Sequence, residues 1–105
     1  MIKKLIRDNI PSLILESGRI PNVRILGDDE YYKELVKKLH EEVEEYLDSR
    51  MAEEIADIFE VLYALMEYEE YTKNHIEKIR LEKRKTNGSF TKRIYLESIN
   101  GGHVQ

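Results

Sequence analysis

The chain contains no cysteine among its 105 residues. Disulfides and thiolate metal sites are therefore excluded, and a reducing compartment suits it. It has little excess charge of either sign: 21 acids stand against 17 bases, net −4. No global field draws it to a nucleic acid polymer. A long hydrophobic run is also missing. The longest, Ile55 to Met66, is interrupted by Asp57 and Glu60, which makes it too short and too polar to span a membrane. The opening MIKKLIRDNIP has no apolar core of the secretory-signal kind. Internal repeats and low-complexity linkers are absent too. The expectation is a cytoplasmic protein without membrane attachment. Its length suits one small domain that would gain from burying more surface in an oligomer.

What is present is helical periodicity. Asp8 or Asn9 can cap a short helix with Pro11 in its first turn, and LILES runs on to Gly18, a good stop. Pro21 forces Ile20 out of helical geometry, so GRIPNVRIL reads as a link. Gly27-Asp28-Asp29 opens a second helix whose apolar positions, Tyr32, Leu35, Val36, Leu39, Val43, Tyr46 and Leu47, advance in threes and fours. Asp48-Ser49 is predicted as the turn into a third helix, about residues 50 to 70, antiparallel to the second. Asn74 can cap a fourth, ending near Asn87-Gly88. FTKRIYLESI follows as an extended basic arm, and NGGHVQ as a frayed end. The fold class is all-α, with residues 1–97 as a single domain and 98–105 as a tail.

The acids are not evenly spread. Each helical residue turns about 100°, so with Leu39 at zero the apolar stripe of the second helix spans about −40° to +80°. Glu42 falls at about −60° and Glu45 at about −120°, one turn apart along the seam, while Glu41 and Glu44 point further away. On the third helix Ile55, Ile58, Phe59, Leu62 and Met66 share one face. Glu54, Asp57 and Glu60 stripe the other, where Val61, Ala64 and Tyr68 continue it. A helix apolar nearly all round is predicted to be buried. If the two acidic pairs face each other, four carboxylates converge and repel. A hard divalent cation with oxygen ligands resolves this, Mg²⁺ being the usual one. The plainer reading makes HEEVEEY a solvated face paired with Lys37, Lys38 and Arg50. It accounts for Glu53 and Glu54 as a first-turn feature, for Asp57 poorly and for Glu60 not at all.

The pattern EExxE followed by ExxD, here Glu41-Glu42-Val43-Glu44-Glu45 and Glu54-Ile55-Ala56-Asp57, resembles the MazG-like all-α nucleoside triphosphate pyrophosphohydrolases. KLIRDNIP, EEIADIFEVLYAL and GSFTKRIYL further resemble the phosphoribosyl-ATP pyrophosphohydrolase-like "house-cleaning" branch, over about residues 3 to 96. The resemblance implies a four-helix-type bundle. The third helix is apolar on both faces, more than one partner helix can cover, which predicts that a homo-oligomer, a homodimer or larger, completes it. The resemblance also implies a Mg²⁺-dependent cleavage between the α and β phosphates of a nucleotide, with Mn²⁺ able to substitute. Carried over by position, Glu42, Glu45, Glu54 and Asp57 hold metal. Glu41 sits behind them or orients a ligand, and Glu60 is a candidate extra member of the metal shell. Eight residues separate Glu45 from Glu54, fewer than the family usually has, which bears on which nucleotide fits.

Metal ions in such a site neutralise phosphate charge and acidify a bound water. Glu45 or Glu41 is the expected carboxylate to align that water. Lys4, Arg7, Lys83, Arg84, Lys92 and Arg93 are candidate phosphate ligands, with Arg7, beside Asp8, and Arg93 preferred. A di-iron bundle would need Glu-x-x-His pairs, but Lys37 and Thr72 stand three before His40 and His75. The remaining alternatives are a phosphoribosyl-ATP pyrophosphohydrolase of histidine biosynthesis and a helical module that binds or oligomerises without turnover.

Overall fold

A computed structural model describes residues 3–101. Its regular structure is entirely helical: α1 (Ile10–Glu16), α2 (Asp28–Ser49), α3 (Ala52–Tyr68) and α4 (Lys73–Asn87), with no strand among the described residues. No helix among them is long and apolar enough to cross a membrane. The chain divides into two compact units, one up to Lys73 and one from Asn74 onward.

In the first unit, α1 starts after Asn9 with Pro11 in its first turn, as its sequence dictates. Its end is marked by Gly18 at φ 88°, a conformation that carries no Cβ penalty in glycine. Gly27, extended at φ −79° and ψ 174°, opens α2, and Asp28, Asp29 and Glu30 fill its first turn, where the helix dipole favours negative charge. Arg24 donates to both oxygens of Glu30, at 3.1 and 2.5 Å, and so ties the preceding link to that turn.

The turn between α2 and α3 lies two residues later than the expected Asp48-Ser49. α2 runs through Ser49, and Arg50 then takes the left-handed conformation at φ 57°, its N–H donating to the Tyr46 carbonyl. Met51 is extended and donates its own N–H to Ser49 Oγ at 3.3 Å. Ser49 thus braces the link, and the first turn of α3 has no side-chain cap. A two-residue link leaves α2 and α3 side by side and antiparallel, and these two helices pack against each other.

Leu35 and Val61 are the buried apolar residues of this hairpin, at 2% and 7% exposure, and Glu42 is buried as well, at 6%. At its far end Tyr68 of α3 meets Tyr32 at 5.2 Å and Tyr31 at 6.1 Å between ring centroids. These rings are contacts of the hairpin. Tyr63 likewise lies under Lys73 Nζ, 4.1 Å from its centroid. The expectation that α3 is buried nearly all round does not hold for the single chain. α2 covers the Val61 side, whereas Ile55 and Phe59 stay 39% and 52% exposed.

In the second unit, α4 ends at Asn87 with Arg84 and Lys85 in its last turn, where cations suit the dipole. Gly88 at φ 87° closes it. Beyond it the chain has no helix or strand up to Gly101, and Phe90 and Tyr95 are exposed. The frayed end expected of NGGHVQ falls largely outside the described residues.

Candidate metal centre

Glu42 and Glu45 stand one turn apart on α2, and Glu54 and Asp57 one turn apart on α3. One ligand oxygen from each lies within 4.8 Å of all the others. The short Arg50-Met51 link and the packing of α2 against α3 bring the two pairs together, so the quartet is a product of the hairpin alone. It has a depth profile. Glu42 is buried, Glu54 and Asp57 are half-buried, and Glu45 is exposed. Glu42 therefore lies deepest and Glu45 stands at the mouth.

Among the described residues, two cations reach this cluster. Lys38 Nζ approaches Glu42 Oε1 at 3.5 Å, and Arg7 Nη2 donates to Asp57 Oδ1 at 2.6 Å. Four carboxylates thus meet two direct countercharges. Glu45 and Glu54 make no ion pair among the described residues, and the buried Oε2 of Glu42 has no hydrogen-bond partner. A buried, unpartnered carboxylate oxygen is unusual and calls for a cation or a proton.

The electrostatics agree. Burial pushes the Glu42 carboxyl above its ordinary value. The charge of Glu45, a proton shared with it and the charge of Asp57 push the same way, while Lys38 opposes. Glu54 is raised by desolvation, then by Glu45, Asp57 and Glu53. The donor set is four hard oxygens with no nitrogen or sulfur, which selects Mg²⁺, Mn²⁺ or Ca²⁺ over zinc.

The other expected site residues fall elsewhere. Glu41 is not in the quartet; it accepts from Lys38 at 3.3 Å and faces Lys4 Nζ at 3.8 Å. Glu60 is exposed and outside the cluster. Asp8 is exposed beside Arg7. Lys83 and Arg84 lie on α4 and Arg93 in the following arm, all exposed and all in the second unit. Arg7 grips a carboxylate of the quartet rather than standing free. Lys38 is the residue that sequence reading undervalued, taking it for a surface countercharge. Its signal was its spacing, three before Glu41 and four before Glu42, on the seam side of α2.

No family model and no solved structure matches the chain. An "Uncharacterized protein" of Mycolicibacterium smegmatis is 57% identical over 42 residues, which are 40% of this chain and 43% of that protein. The match thus spans less than half the length of that relative.

Proposed function

We propose that the chain is a divalent-cation-dependent nucleotide pyrophosphohydrolase, hydrolysing the bond between the α and β phosphates to give a nucleoside monophosphate and pyrophosphate. One observation carries the reading: an oxygen from each of four carboxylates on two helices lies within 4.8 Å of the others, and the deepest residue, Glu42, has a buried oxygen with no donor among the described residues. A solvated helix face would leave Glu42 Oε2 hydrated, whereas here it is buried without a donor among the described residues. Glu42, Glu45, Glu54 and Asp57 are the residues that would hold the cation, Mg²⁺ or Mn²⁺. When bound, the cation supplies charge neutralisation for phosphate oxygens and acidity for water. Glu45, exposed at the mouth, is placed to accept the proton of an attacking water. Glu41 holds Lys38 and Lys4 and so orients two cations beside the carboxylates. Lys4 and Arg7 are the first unit's phosphate-binding candidates. A role in clearing non-standard nucleotides in the cytoplasm fits the resemblance of KLIRDNIP and GSFTKRIYL. The phosphoribosyl-ATP reaction is the runner-up.

The test is pyrophosphate release from a panel of nucleoside triphosphates, common and damaged, and phosphoribosyl-ATP, with and without Mg²⁺. Mg²⁺-dependent release is expected, and the ratio of kcat/KM values across the panel names the substrate. At a Mg²⁺ concentration of about 100 Kd, binding adds about 2.7 kcal/mol to stability. No release from any substrate and no rise in melting temperature would leave a non-catalytic helical module.

The reading extends to a homo-oligomer, a homodimer or larger. Val43 and Leu47 on α2, and Ile55 and Phe59 on α3, are 38%, 66%, 39% and 52% exposed. Measured from the buried Glu42 and Val61, they lie about 100° to 160° round their helices in the same sense. In an antiparallel pair that places them on one flank of the hairpin, away from Glu45 and Asp57. A second copy on this flank would complete a four-helix bundle and leave the acidic mouth open. Phe59→Glu is expected to shift the species seen by light scattering from oligomer to monomer. A wild-type chain that is already monomeric would refute the assembly.

A further inference from the structure

Arg7 Nη2 donates to Asp57 Oδ1 at 2.6 Å, across 50 positions of sequence. It is the shortest contact that any cation makes with the quartet, since Lys38 stands 3.5 Å from Glu42. Three residues earlier in the same segment, Lys4 Nζ faces Glu41 at 3.8 Å. The first segment therefore lies along the acidic hairpin at two points, one inside the quartet and one outside it. Both members of the Arg7–Asp57 pair are accessible, with side chains 55% and 38% exposed.

We propose that Arg7 is a built-in competitor for the divalent cation, and that its release from Asp57 couples cation binding to nucleotide binding. The proposal rests on the metal-site reading above. An Asp57 carboxylate committed to a guanidinium cannot give its full charge to an ion. A guanidinium and a divalent cation held by one carboxylate also repel each other. Loading the quartet therefore moves Arg7 off Asp57. An accessible ion pair resists this only weakly, by up to about fivefold in affinity. Once displaced, Arg7 stands at the mouth with its fork of donors unpaired. A triphosphate offers pairs of anionic oxygens that its planar fork can bind bidentately. The nucleotide thereby removes the competitor and tightens the cation, and by linkage the cation tightens the nucleotide by the same factor. Arg7 is in this sense a positioning residue that senses whether substrate is present.

The experiment measures Mn²⁺ affinity by electron paramagnetic resonance, with and without the α,β-methylene analogue of adenosine triphosphate. The proteins are wild type, Arg7→Met, Arg7→Lys and Lys4→Met. Arg7→Met is expected to bind Mn²⁺ alone about two- to fivefold more tightly than wild type. In the same variant the tightening of Mn²⁺ by the analogue should be smaller than in wild type by about the same two- to fivefold, the share owed to phosphate contact with the ion remaining. Arg7→Lys keeps a charge at the position and should retain most of the wild-type pattern. Lys4→Met removes an equal charge nearby without touching the quartet, and should change Mn²⁺ affinity less than Arg7→Met does. Equal Mn²⁺ affinity in wild type and Arg7→Met overturns the proposal while leaving the metal site standing. So does an equal gain in Lys4→Met, which would make the effect one of general charge. No Mn²⁺ binding by wild type or Arg7→Met removes the metal reading and this inference together.

Discussion

Asp57→Asn and Glu54→Gln are each expected to lower Mg²⁺-dependent kcat/KM by at least about 100-fold, with helicity unchanged. Each substitution keeps the size of the side chain and removes one of four anionic ligands. Even groups that only orient metal ligands are worth about 10–100-fold, so a direct ligand should cost no less. Structural collapse is not the expected cause. Glu54 and Asp57 are half-buried, and the pair that Asp57 makes with Arg7 is accessible and worth about 0–1 kcal/mol. Glu44→Gln is the control, an exposed acid of α2, next to Glu45 but outside the quartet. It should stay within about twofold, the scale of surface changes away from a site. Pyrophosphate release against Mg²⁺ concentration, with circular dichroism alongside, decides the matter. Full activity in either quartet variant would show that the site is assigned to the wrong residues.

Glu42→Gln is expected to do the opposite to stability. Glu42 is 6% exposed, and its Oε2 has no partner. Leaving such a group unsatisfied costs about 1–3 kcal/mol. The amide of glutamine is neutral and can donate to Glu45, so the metal-free variant should melt higher than wild type near neutral pH. For a domain of this size each kcal/mol is about 4–8 °C. The wild-type rise in melting temperature with Mg²⁺ should at the same time be lost. The pH dependence carries the same signature. In the folded chain Glu42 holds its proton to higher pH than its ordinary value of 4.5. From that value upward the folded state binds more protons than the unfolded one, so metal-free stability falls as pH rises through the window. Glu54 adds in the same direction. Glu30 and Glu77, lowered by Arg24 and Arg80, act with the opposite sign and only below their ordinary range. Thermal melts in chelator should therefore show wild type more stable in mild acid than at neutrality, with a flatter profile for Glu42→Gln. A variant that melts lower than wild type at neutral pH would mean that Glu42 is held by favourable partners after all.

Much of this was legible because it depends on local chemistry. The spacing of Leu35, Glu42 and Glu45, and of Glu54, Asp57 and Val61, fixes which side chains share a face, and the structure brings that acid quartet together. Helix ends were legible where glycine or proline marks them, at Pro11, Gly18, Gly27 and Gly88. The link between α2 and α3 was misplaced because its left-handed residue is Arg50, a type with no preference for that conformation. The Arg7–Asp57 pair was out of reach for another reason. It joins residues 50 apart, and no periodicity encodes such a contact. The cover on α3 was overestimated because a sequence shows that a face is apolar without showing what lies on it.

The link of Arg50 and Met51 has a mechanical consequence. Were it to pivot, α3 would swing on it as a rod. Asp57 lies about 9 Å along that rod and Tyr68 about 25 Å, at 1.5 Å per residue. A swing of about 10° would displace Asp57 by about 1.5 Å but the far tip by about 4 Å. The tip is the end latched by the rings of Tyr31 and Tyr32. The carboxylates thus occupy the short arm of a lever whose long arm is clamped, where angular jitter moves them least.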